Sequence, residues 1–153
     1  MSETIKANNF MKFIRVLMRG SAVWLIIIFA ESLHGTLREL FLTPLIGDTR
    51  ARQISFFTAL AIIFTITIIL IRWIGASNKK QLFAVGITWA ALTFIFEAVI
   101  VRSALDISWG RLLADYDIFQ GGVMAIGLMI LALAPFFAAW MRGKPAERVD
   151  PAH

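Results

Sequence analysis

The stretch VWLIIIFAESLHGTLRELF, residues 23–41, decides the fold class of this chain. Eight apolar residues run directly into two glutamates, a histidine and an arginine, with no proline between them. The whole chain is 59% hydrophobic and 16% charged, whereas about a quarter of the residues of a soluble domain are charged. This balance indicates a membrane protein. The absence of cysteine excludes disulfides, thiolate catalysis and cysteine-ligated metals.

Four apolar segments predict four membrane spans, at about residues 21–43, 55–71, 81–101 and 119–140. Each is close to the ~20 residues with which a helix crosses ~30 Å of hydrocarbon. Backbone polar groups in lipid must be satisfied within the segment, so the spans are expected to be helices. The sequence therefore predicts an all-α, integral membrane four-helix bundle that forms a single domain over residues 1–153.

The distribution of Lys and Arg predicts the orientation. Ten of these 15 residues lie in the N-terminal segment 1–20, between spans two and three, or in the C-terminal tail 142–153. By the positive-inside rule we expect a basic cytoplasmic N-terminus and a flexible cytoplasmic tail, in a bacterial inner membrane. The same rule accounts for the net charge of +5, so we do not predict nucleic acid as a partner. Between spans three and four we expect a short interfacial helix, capped by Asp106 or Ser108 and anchored by Trp109 and Tyr116.

The first span carries a polar stripe. Glu31, His34, Gly35 and Arg38 follow the spacing i, i+3, i+4 and i+7, which places them on one helix face. A charged group that faces lipid near the bilayer centre costs at least ~2.5 kcal/mol, so these residues are expected to face protein or water. Gly35 removes side-chain bulk and would let a neighbouring helix come close.

Depth along the helices predicts a partner for Arg38. With ~1.5 Å of rise per residue and spans beginning at Ser21 and Gln81, Arg38 lies ~25 Å and Glu97 ~24 Å from the inner surface. We therefore expect an Arg38–Glu97 ion pair, with Glu39 pointing away towards water. A second stripe on span three ends at Thr93 and Glu97. The predicted proton- or solute-binding residues are Glu31, His34, Arg38 and Glu97, with Gly35 and Thr93 in supporting positions.

Three classes of function fit this cluster. The first is a transporter-like or proton-responsive protein, because ionisable groups within a membrane tend to mark sites or pathways and His34 titrates near physiological pH. The second is an accessory or assembly subunit of a larger membrane complex. The third, and least favoured, is an intramembrane enzyme. No catalytic residue, metal or cofactor is predicted, and the expected partners are the lipid bilayer and either further copies of the chain or a larger complex.

Two limited resemblances accompany these classes. In length, and in the glutamate of its first span, Glu31, the chain is similar to the small multidrug-resistance transporters, which would imply proton coupling at Glu31. Its strong charge bias differs from that of the dual-topology members. The pattern ExxHGxxRE at residues 31–39 resembles sequences of the membrane glutathione-transferase-like family, whose members are enzymes with four spans. The arginine- and asparagine-containing pattern of that family is not found here.

Overall fold

The computed structural model describes residues 2–101, 110 and 124–143, and no strand occurs among them. The helices are α1 (Ser2–Leu37), a π-helical segment π1 (Arg38–Leu42), α2 (Thr43–Ile46), α3 (Asp48–Ile74), α4 (Lys79–Ile95), a second π-helical segment π2 (Phe96–Val101) and α5 (Met124–Met141). Within this part of the chain, four helical stretches are long and apolar enough to cross a membrane. The predicted all-α class and the four apolar helices are confirmed.

The helices pack as a bundle of four. α1 packs against α3 and α4, and α5 packs against the same two helices from the opposite side. The contact between α4 and α5 is close, because Gly86 of α4 lies directly against the backbone of Ala132 in α5. Pro135 lies within α5, where it is fully buried and the helix continues through it to Met141.

The first helix is longer than the predicted span. It begins at Ser2 instead of near Ser21, so its 36 residues extend over ~54 Å at 1.5 Å per residue. Beyond its C-terminal end, in α2, Pro44 lacks the N–H that an α-helix would bond to the carbonyl four residues back. The backbone widens just before this proline, and the N–H of Thr43 bonds to the carbonyl of Arg38, five residues back.

One end of the bundle is well defined by helix caps. α3 ends at Gly75, whose positive φ of 76° suits a residue without a Cβ. α4 begins after Asn78, whose side chain accepts a hydrogen bond from the N–H of Gln81 at 2.9 Å. Arg19 of α1 reaches the same end, donating to the carbonyl of Trp73 at 3.2 Å and lying over its ring at 5.6 Å. Arg19 therefore lies beside the α3–α4 connection.

Two indole hydrogen bonds fix the register between α1 and α4. Trp89 Nε1 donates to the carbonyl of Gly20 at 2.8 Å, and Trp24 Nε1 donates to Thr93 Oγ1 at 2.9 Å. Each bond joins residues 69 apart in the chain. Along one full turn of these parallel helices, each residue of α1 therefore lies at the same height as the α4 residue numbered 69 higher. All four groups are buried, where a polar group without a partner would cost about 1–3 kcal/mol.

The main hydrophobic core lies in the half of the bundle next to the caps. On α1 its buried members run from Val16 to Ile27, and on α3 they include Ile71 and Ile74. Beyond Ile27 no residue of α1 is fully buried. The predicted polar stripe begins at Glu31, so it lies beyond this core, in the more open half of the bundle.

Three predicted features fall wholly or partly outside the described residues. These are the interfacial helix between spans three and four, the start of span four at about residue 119, and most of the tail at 142–153.

Candidate functional site

The ends of α1 and α3 that lie away from the main core bring three polar side chains together. His34 Nε2 lies 2.8 Å from Thr58 Oγ1 on α3, and His34 Nδ1 lies 3.7 Å from Glu31 Oε2, one turn back on α1. The side chains of Glu31 and His34 are each 21% exposed. The second distance is too long for a hydrogen bond, so Glu31 and His34 face one another without being bonded.

The Thr58 hydroxyl determines how His34 can carry its protons. Thr58 Oγ1 lies 3.0 Å from the carbonyl of Ser55 and 3.3 Å from that of Ile54, both possible acceptors for its proton. When it donates to one of them, its oxygen accepts from His34 Nε2–H. His34 Nδ1 then faces the Glu31 carboxyl group, and a single proton can reside on either partner.

Arg38 does not form its predicted contact. Its Nη2 lies 2.6 Å from Glu39 Oε1, in a pair whose side chains are 28% and 53% exposed. The ion pair of Arg38 among the described residues is therefore with its chain neighbour. Glu39 is exposed, as expected of a side chain that reaches water, and it pairs with Arg38 from there.

The register of α1 and α4 explains why Arg38 and Glu97, which were predicted to lie at the same depth, do not. With the observed offset of 69 residues, Glu97 lies level with Ile28, and Arg38 is ten residues, or ~15 Å, further along. The prediction assumed that Ser21 and Gln81 begin at one level, whereas Gln81 is level with Lys12. Glu97 lies in π2, one turn beyond Thr93, which faces α1. It is therefore closer in height to Glu31 than to Arg38.

Several buried polar atoms near this end have no hydrogen-bond partner among the described residues. They are Glu31 Oε1, Arg38 Nε, Thr43 Oγ1 and Ser55 Oγ. All four belong to the C-terminal part of α1, to π1 and α2, or to the first turns of α3. Such groups are uncommon in folded proteins, because each forgoes the hydrogen bonds that it makes in water. We call these four residues, with His34 and Thr58, the polar cluster.

The two supporting residues have different roles from those expected. A Cβ built on Gly35 would meet no described atom within 4 Å, so this glycine does not mark a close helix contact there. Thr93 accepts its hydrogen bond from Trp24 and is 8% exposed. It belongs to the α1–α4 packing instead of the polar cluster.

Ser55 and Thr43 were not recognised from the sequence as possible members of the site. Ser55 precedes Thr58 by three residues, which places both on one face of α3. Thr58 itself belongs to a small and polar stripe that the sequence shows at Thr58, Ala61 and Thr65. Within the described part of the chain, no group of three or more His, Asp or Glu side chains is arranged to hold a metal ion.

The contact between His34 and Thr58 can be tested by NMR of the imidazole. The chain has two histidines, and a His153→Ala background leaves His34 as the only source of an imidazole signal. We expect Thr58→Val to shift the ¹⁵N resonances of His34, because the ring loses the partner of Nε2. Thr65→Val, a matched change at an exposed position of the same helix, is expected to leave them unchanged. Equal spectra for both variants would contradict the contact.

Comparisons with protein-family models, with curated proteins and with solved structures gave no significant match to this chain. The fold itself defines the class of protein: a helical bundle with four helices of membrane-spanning length. Its particular activity is argued below from the polar cluster.

Proposed function

We propose that the chain crosses a bacterial inner membrane four times, with both termini in the cytoplasm. The four long apolar helices support this location. The orientation is supported by the contact of Arg19 with Trp73, because it brings the basic residues of α1 to the same end as Arg72, Lys79 and Lys80. One end of the bundle thus gathers positive charge, as the cytoplasmic side of membrane proteins does.

We further propose that the polar cluster binds a proton or a small solute. The observation that carries this proposal is the series Glu31, His34 and Thr58, in which the buried Glu31 Oε1 has no hydrogen-bond partner within the described part of the chain. Ionisable groups within a membrane are costly and usually serve a site or a pathway. A carboxyl group facing an imidazole nitrogen at 3.7 Å can exchange a proton with it after a small movement.

The same cluster has the hydrogen-bonding capacity to hold a polar solute. Arg38 Nε can only donate, ionised Glu31 can only accept, and the hydroxyls of Thr43 and Ser55 can do either. Glu31 and Arg38 lie seven residues, ~10 Å, apart along one helix face. A small molecule with both donors and acceptors would therefore satisfy Glu31 Oε1 and Arg38 Nε, whereas Thr43 is ~18 Å from Glu31 along the chain and needs a separate partner. Glu97, which lies near the height of Glu31 on the neighbouring helix, is proposed as a further carboxylate of this site.

The accessory-subunit function remains a second candidate, favoured by one face of α3. Ala61 and Thr65 lie one turn apart and are both exposed. Small residues at this spacing let a helix of another membrane protein approach closely. Such a partner would give the protein an assembly role, with the polar cluster stabilising the bundle.

Native mass spectrometry of the protein, extracted gently from its own membranes, distinguishes these functions. We expect a bound small molecule that is absent from Glu31→Gln and retained by Glu3→Gln. Glu3 is the matched control, because it lies on the same helix with a side chain that is 91% exposed. A larger subunit retained at fixed stoichiometry by both variants would instead establish the accessory function.

A further inference from the structure

An open apolar groove follows the outward surface of α1 near the capped end of the bundle. One hollow of about 500 Å³ includes Met18, Ala22 and Leu25 in its lining, together with Thr88 of α4. A second, of about 520 Å³, lies next to Phe10, Arg15 and Arg19. The two hollows share Ile14 and Met18, so they adjoin as one shallow, wide-open groove on the exposed face of α1.

The groove is mostly apolar, with two arginines in its middle part between Phe10 and Met11 on one side and Ala22 and Leu25 on the other. Arg15 and Arg19 are one helical turn apart, and the Trp73 carbonyl and ring hold Arg19 in place. Away from the arginines the lining is almost entirely apolar. Phe10 is 65% exposed and Met18 is 69% exposed, so large apolar side chains lie uncovered beside two positive charges.

We propose that this groove binds an anionic phospholipid. The phosphate would lie at Arg15 and Arg19, which match its charge and its several acceptor oxygens. One acyl chain would follow Met18, Ala22 and Leu25 towards the middle of the bilayer. The inference rests on the membrane location and orientation proposed above, and it is independent of the polar cluster.

The charges favour a lipid over a second copy of the chain. Among the described residues at this end of the bundle, Glu3 is the only carboxylate, and it already pairs with Lys6 at 3.4 Å. Two copies that met through this face would bring Arg15 and Arg19 against like charges. An anionic headgroup supplies the missing negative charge, and its acyl chain covers the apolar residues.

Lipid titrations of the purified, delipidated protein test the proposal. Phosphatidylglycerol and phosphatidylcholine with identical acyl chains are added separately, and bound lipid is counted by native mass spectrometry. We expect the wild-type protein to retain phosphatidylglycerol at least about fivefold more tightly, and Arg15→Gln to lose this preference. Arg50→Gln is the matched control, because it removes an exposed arginine at the other end of the bundle.

A second variant tests the apolar part of the groove. Ala22→Phe fills the path of the acyl chain and is expected to weaken the binding of both lipids. Equal binding of the two lipids by the wild-type protein, or an equal loss in Arg15→Gln and Arg50→Gln, would overturn the proposal. Glu31→Gln is expected to bind phosphatidylglycerol normally. This variant therefore tests lipid binding separately from proton or solute binding by the polar cluster. Recovery of the protein in the soluble fraction would instead refute the membrane location.

Discussion

Gly86→Ala is expected to prevent the accumulation of folded protein. A Cβ at this position would lie 2.9 Å from the carbonyl carbon of Ala132 and closer still to its oxygen. Because these are backbone atoms of α5, relief of the clash requires the two helices to separate. Overpacking of a tight interior costs about 1–3 kcal/mol when side chains can adjust, and a backbone clash is expected to cost at least the upper value.

Gly35→Ala provides the matched comparison, since it is the same substitution in another helix. No described atom lies within 4 Å of a Cβ at this position. Alanine also favours a helix over glycine by up to about 1 kcal/mol, so this variant is expected to be neutral or slightly stabilised. Thermal unfolding in detergent, together with the yield from membranes, measures both effects. A normal yield and Tm for Gly86→Ala would refute the close α4–α5 contact.

Glu31→Gln is expected to abolish pH-dependent proton uptake while leaving the fold intact. The amide has nearly the shape of the carboxyl group but cannot take up and release a proton near neutral pH. Vesicles that contain the reconstituted protein and an internal pH-sensitive dye measure the uptake. Under an imposed membrane potential, the variant should acidify the vesicle interior no faster than protein-free vesicles do.

Two controls make this result specific. Glu3→Gln changes an exposed carboxylate of the same helix and should retain wild-type uptake. Thr58→Val removes the hydrogen-bond partner of His34 and should slow the uptake without abolishing it, because both ionisable groups remain. Wild-type uptake by Glu31→Gln would eliminate this residue as the proton carrier.

The sequence predicted the helices well, because each apolar segment has the length and composition of a membrane span. It could not predict how the helices are aligned along one another. The alignment of α1 with α4 depends on hydrogen bonds from Trp24 and Trp89, whose partners are far away in the chain. Hydropathy places both spans in a membrane without fixing their relative height, so Arg38 was matched with the wrong residue.

The polar cluster was predicted in part. Helical spacing placed Glu31 and His34 on one face, and the structure brings these two side chains together. The contact of Thr58 with His34 was not predicted, because it depends on how α1 and α3 pack. The role expected of Gly35 belongs instead to Gly86. A glycine in a span indicates that a close contact is possible, but the partner helix decides which glycine is used.

The central claim is that Glu31 takes up a proton within the cluster. Its most direct test is infrared difference spectroscopy of the purified protein between about pH 5 and pH 8, the range in which a histidine-coupled site titrates. We predict a carboxyl C=O band that grows on acidification in the wild-type protein and in Glu3→Gln and is missing from Glu31→Gln. The same band in all three proteins, or no band in any of them, would contradict the claim and leave the cluster with a structural role.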